Sequence, residues 1–237
     1  MIERVMYMEN NKNNCWLWRI LFYSMGLVIL SIGITLNTKS GLGVSPIISI
    51  PFSIANILNL NFATMTFIVY TVFVLIQFII KGKNRDLKDI LQIPFSLLFS
   101  VLINYFSGIL DFNYTTIWQN LILLFAAIVV TAIGAAMMVN MKLIPNPADG
   151  LAQAIGDIFK KGLGFGKNAL DITCVVTTCI IGLVLSGKIV AIGIGTVIAM
   201  IGVGRAIAIF NKIFKENMDR LAGLETVDCE TQIENTI

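Results

Sequence analysis

The chain contains no histidine. That removes the commonest general base and the commonest metal ligand. Charge is also scarce: 13% of the 237 residues are charged, where a soluble domain carries about 25%. The four cysteines, Cys15, Cys174, Cys179 and Cys229, have no metal-type spacing. Cys174 and Cys179 are five apart on a predicted helix and do not share a face. They read as small apolar fillers. No nucleophile–base pair, metal cluster or distinctive phosphate loop stands out, so no enzyme, no metal and no cofactor is expected. No nucleic-acid partner is expected either.

Apolar residues dominate instead: 57% of the chain is hydrophobic. A span needs roughly 20 apolar residues. Six segments qualify, at about 17–37, 62–80, 90–109, 117–139, 168–187 and 189–210. The polar stretch from Met1 to Asn14 and the lack of a small-residue cleavage site argue against a cleaved signal. Residues 1–16 read as a cytoplasmic N-terminal segment, and the acid-rich tail, 216–237, as disordered and cytoplasmic. With the N-terminus inside, Lys81, Lys83, Arg85 and Lys88 fall inside with most other cations. Only Lys39 and Lys188 fall outside, and Arg205 lies within a span. That bias follows the positive-inside rule.

Two apolar pieces are too short to cross, Ser45 to Leu60 and Pro147 to Phe159. Each follows a break in the apolar run. The first break is Asn37 to Pro46 and the second is Asn140 to Gly150. Each short piece reads as a re-entrant or interfacial helix. Ser45 and Asn146 are good N-cap residues, and Pro46 and Pro147 sit at the first helical position, where a missing N–H costs nothing.

The breaks also repeat. Gly33 and Gly134, Ser45-Pro46 and Asn146-Pro147, and Ile93 and Ile194 are each 101 residues apart. Residues 17–110 and 117–214 then form two halves, each ordered span, break, short helix, span, span. An odd number of spans per half inverts the second half, as in many transporters. The expected fold is an all-α membrane bundle of six transmembrane helices and two short helices, built as an inverted repeat.

A short helix that begins inside a membrane presents free N–H groups and the positive end of its dipole. Such ends hold anionic or polar solute groups. The candidate binding residues are therefore Asn37, Lys39, Ser45, Pro46, Ser49, Asn146, Pro147 and Asp149. Asn104 and Arg205 occupy equivalent places in the two halves and read as gate or counter-charge residues. A buried charge needs a partner, and Asp149 is the one expected for Arg205. Asp171, placed at the start of the fifth span, reads as complementing a helix N-terminus. Small-residue faces at Gly26 and Gly33, and from Gly193 to Gly204, suit close packing between halves or in a homodimer.

The motif Lys39-Ser40-Gly41-Leu42-Gly43-Val44-Ser45-Pro46, with Gly193 to Thr196, resembles the signature of the YitT/YczE-type bacterial membrane proteins, over residues 16–214. The resemblance implies a bacterial plasma membrane location and supplies a fold rather than a reaction. In that family an acidic residue is common near the place of Asn104, so its absence here argues against ion coupling there. Asn146-Pro147-Ala148 also matches the tripeptide of aquaporin half-helices, but its counterpart here is Ser-Pro-Ile, and each half-helix follows the first span of its half.

The partners expected are the lipid bilayer and an unidentified small-molecule substrate. The first reading is a secondary-transporter-like carrier of a small solute. The alternatives are a passive channel for a small polar solute, and a non-transporting accessory or signalling protein.

Overall fold

The computed structural model describes residues 2–84, 86–110 and 114–224, with side chains from Cys15 onward except those of Asn84 and Lys88. The described residues are helical with no strand. The order is α1 (Ile2–Lys39), α2 (Pro46–Leu58), α3 (Phe62–Lys81), α4 (Gln92–Ile109), α5 (Ile117–Asn140), α6 (Pro147–Ile158), α7 (Gly162–Ser186) and α8 (Ile194–Leu221), with two 3-10 turns between α3 and α4. Among the described residues six helices are long and apolar enough to cross a membrane, and α2 is a shorter apolar helix. Large apolar side chains such as Ile79, Trp118, Ile122, Phe125 and Val184 are exposed around the bundle. In water such a surface would be costly, but hydrocarbon is its natural solvent.

Several boundaries differ from those expected. Helix α1 begins at Ile2, so the N-terminal segment is helical. Helix α7 begins at Gly162, well before residue 168, and puts Asp171 inside the span rather than at its start. Helix α8 begins at Ile194 and continues to Leu221, so residues 216–221 are helical. The rest of the tail expected to be disordered, from residue 225, lies outside the described residues.

The centre of the bundle is the crossing of α1 on α5. Glycine makes it close. A Cβ on Gly33 would lie 2.5 Å from the Thr131 nitrogen, and one on Gly134 would run into the Leu30 backbone. Gly26 meets the Gly134 carbonyl in the same groove. The small-residue face of α1 is thus used inside the chain, in the way small residues let membrane helices approach. Around this crossing α2 packs on α7, α3 on α6, α4 on α1, and α8 on α5.

The two short helices follow from their sequences. Pro46 and Pro147 start them. Asn59 and Lys160 end them in left-handed backbone, at φ 52° and 53°. Leu60 N–H then donates to the Ala55 carbonyl at 2.9 Å, and Lys161 N–H to the Gly156 carbonyl at 3.0 Å. These bonds give carbonyls of each last turn a donor.

Candidate functional site

The N-termini of α2 and α6 face one cavity. Ser45, Pro46 and Ile47 line it from α2, and Asn146, Ala148 and Asp149 from α6. It has a volume of about 160 Å3 and lies at the α1–α5 crossing, walled by Leu30, Ile34, Thr131 and Ala135. A second cavity, about 460 Å3, shares Leu30, Ala135, Asn146, Asp149, Lys167 and Gly204 with the first. It runs past Gln153 and Lys142, which are exposed, and past Lys81. This open end of the bundle carries the ends of α3 and α5 and the start of α7.

At the opposite end the first break is closed. Val44 N–H donates to the Ala191 carbonyl at 2.9 Å and Gly195 N–H to the Leu42 carbonyl at 2.8 Å. Gly43, at φ 102°, fits against Gly193 so closely that a Cβ on it would lie 2.5 Å from the Gly193 nitrogen. Val44 is buried beneath this seam. A third cavity, about 390 Å3 and lined by Thr38, Gly41, Phe52 and Ile192, shares no lining residue with the central one.

Each break is pinned by its own device. In the first, the buried Asn37 side chain accepts from Ser45 N–H at 2.8 Å, and the Ser40 hydroxyl donates to the Asn37 carbonyl at 2.8 Å. In the second, Arg19 of α1 donates to the Met141 carbonyl at 2.9 Å, and the Tyr23 hydroxyl donates to the Ile144 carbonyl at 2.8 Å. Asn146 caps α6 by accepting from Ala148 N–H at 3.2 Å. Ser45 makes no side-chain cap bond to α2.

Of the residues singled out in the sequence, Ser45, Pro46, Asn146 and Asp149 line the cavity. Pro147 is buried as the first residue of α6 but does not line it. Asn37 holds the break rather than facing the cavity, and Lys39 ends α1 away from it. Ser49 is fully buried behind α2. It donates to the Pro46 carbonyl at 2.6 Å and lies 2.7 Å from the Thr178 hydroxyl of α7. Asn104 is exposed on α4, where it accepts from Asn61 at 3.0 Å, outside the cavity.

The expected Arg205–Asp149 pair is not formed. The face of α8 that packs on α5 runs through Ala199, Val203 and Ala206, and Arg205 is exposed beside it. Asp149 instead lies 3.6 Å from Lys167 of α7.

Polar residues not among the binding candidates of the sequence are on α3, α4 and α7, among them Asp171, expected only to complement a helix N-terminus. Tyr70, Lys167, Asn168 and Asp171 all line the central cavity. Tyr70 lies against Asn146 and is almost fully buried. Lys167 and Asp171 are one turn apart on the same face of α7, so the lysine stands between two carboxylates. Asp171 is 5% exposed, and its carboxylate has no hydrogen bond or ion pair among the described residues. An ionisable residue inside a span was itself the available signal. Gln77 and Gln92, both fully buried, crowd the space beside Gly150, and the Gln77 amide has no partner among the described residues. Among the described residues no group of three or more acidic, cysteine or histidine side chains could hold a metal ion.

A model of DUF6198, described as a family of unknown function, matches residues 17–212. The chain is 23% identical over 206 residues to "Uncharacterized protein YyaS" of Bacillus subtilis (strain 168), covering 84% of this chain and 95% of that protein. No solved structure matches.

Proposed function

The chain belongs to the DUF6198 family of unknown function, and from its own geometry we propose that it is a secondary-transporter-like carrier of a small solute, working by alternating access. The observation that carries this reading is the meeting of two half-helix N-termini, at Ser45-Pro46 and Asn146, in one cavity. Discontinuous helices that converge at mid-bundle are how many carriers build a solute site. The cavity continues toward one end and is closed toward the other, as one access state of such a carrier requires.

An inverted repeat would supply the second state by exchanging the roles of its halves. Its support is local and specific. The lining pairs Leu30 and Thr131, Ile34 and Ala135, Ser45 and Asn146, Ile47 and Ala148, and Tyr70 and Asp171 are each 101 residues apart. The same offset carries the Gly33–Thr131 contact onto Gly134–Leu30, and Ser49–Thr178 onto Gly150–Gln77. On this reading the basic end, with Lys81, Lys142 and Lys161, faces the cytoplasm of a bacterial cell. The protein then rests open to the inside.

A carrier gives saturable uptake in proteoliposomes and accelerates counterflow from a preloaded lumen. Asn146→Ala removes the α6 cap at the cavity and abolishes both. Flux that rises linearly with solute and shows no counterflow would instead identify a channel.

A further inference from the structure

The charges around the central cavity define what it can take. Two carboxylates, Asp149 and Asp171, face one ammonium, Lys167. Each short helix adds roughly half a positive charge at its N-terminus. The sum is close to zero, so a solute with net charge would leave that charge unbalanced inside the bundle, which is costly. The cavity is nevertheless sharply polar at two places.

One is the N-terminus of α2. The Ser45 hydroxyl is not used as a cap, and Ile47 N–H has no hydrogen-bond partner among the described residues. At α6 the equivalent place is closed by the Asn146 side chain. The free donors are therefore on α2, at residues that line the cavity, and a helix N-terminus of this kind suits an anionic group. The other place is Asp171, a carboxylate that is 5% exposed, lines the cavity and makes no hydrogen bond among the described residues, its nearby cation Lys167 being shared with Asp149. A buried carboxylate with no hydrogen bond in its own protein and only half a share in one ammonium is a receptor for a cationic donor.

Resting on the carrier reading, we propose that the solute is a small zwitterion of amino-acid type. Its carboxylate sits at the α2 N-terminus, on Ser45 and the Ile47 N–H, and its ammonium on Asp171. The volume fits: about 160 Å3 exceeds the roughly 10–15 Å3 that one water needs by the same measure, and suits a solute of several heavy atoms. Ile34, Ile48, Met200 and Val203 give a short alkyl group apolar walls. Lys167 remains with Asp149 and keeps that second carboxylate from competing for the ammonium.

The test is equilibrium binding to detergent-purified protein, read as a shift in thermal midpoint with glycine, L-alanine or L-proline. Propionate and ethylammonium serve as the halves of alanine. The expected result is a shift with at least one zwitterion, at concentrations where neither half shifts the midpoint. Asp171→Asn, which keeps the shape of the side chain, weakens that binding about tenfold or more, and Ser45→Ala weakens it less. Should Asp171→Asn fail to fold, Ser45→Ala decides alone. An unchanged response in either variant, no response to any zwitterion, or an equal response to propionate or ethylammonium overturns the proposal. Binding without counterflow would sink the carrier reading and leave the solute class standing. Counterflow of a non-zwitterionic solute would do the reverse.

Discussion

The first and second breaks share a backbone and differ in state. The N-cap residues Ser45 and Asn146 have nearly the same dihedrals, φ −58° and ψ 148° against φ −58° and ψ 140°. Gly41 and Lys142, at matching places, are both left-handed at φ 67° and 50°. Yet the first break is stitched by backbone bonds to residues 191–195, while the second is held by Arg19 and Tyr23 and has beside it a cavity that adjoins the central one. The lesson is that one local fold can be a closed gate or an open one, depending on what packs against it. Gly43 and Gly193 permit the closed form because neither has a side chain. Ile144, the counterpart of Gly43, has one, and it lines the second cavity.

The comparison is broken most severely at that seam. Gly43→Val places a branched side chain at φ 102° against the Gly193 backbone. The seam should open at a cost of about 3 kcal/mol or more, read as a fall in thermal midpoint with thiol reactivity at a cysteine placed at Ser45 appearing also from the side of Lys188. Ile144→Ala should leave that reactivity unchanged.

A smaller effect is expected on α7. Lys167→Met strips Asp149 and Asp171 of their cation and should cost about 1–3 kcal/mol by leaving carboxylates facing each other without a counter-charge. The matching residue on α3 is Thr66, whose hydroxyl only bonds the Phe62 carbonyl at 2.9 Å. Thr66→Val should cost under about 1 kcal/mol. Equal losses at the two positions would mean that Lys167 has no electrostatic role.

The third comparison is between the buried pairs Ser49–Thr178 and Gly150–Gln77. Ser49→Ala removes a hydroxyl that Thr178 can replace by bonding the Cys174 carbonyl at 2.8 Å, and should cost about 1 kcal/mol. Gln77→Met replaces an unpartnered buried amide with an apolar chain of similar size and should be neutral or stabilising. A clear destabilisation by Gln77→Met would show that its amide is engaged after all.

Much of this fold is legible in the sequence. Apolar runs long enough to span and the Ser-Pro and Asn-Pro starts are composition-level signals, and α2 and α6 begin at those prolines. The boundaries that moved did so for tertiary reasons. The fifth span is expected from residue 168, but Gly156 and Gly166 let α7 lie so close on α6 that no side chain would fit between them. Helix α7 therefore starts early and carries Asp171 into the bundle. The run Ile189-Val190-Ala191-Ile192 is apolar enough for a helix, yet it is non-helical because it pairs with the first break. A charge in a span demands a partner, and the sequence offers Asp149 to Arg205. The packing face of α8, set by its small residues, leaves Arg205 exposed instead.

The central claim is that both half-helix N-termini share one cavity that is closed at the first break and open past the second. Single cysteines at Ser45 and at Asn146, in a protein lacking Cys15, Cys174, Cys179 and Cys229, test it most directly through labelling with an impermeant thiol reagent in membrane vesicles of known orientation. Ser45 belongs to the break at the closed end, yet the account predicts that it reacts from the same side as Asn146 and as a control cysteine at Lys142. Reaction of Ser45→Cys only from the other side, together with a control cysteine at Lys188, would contradict it.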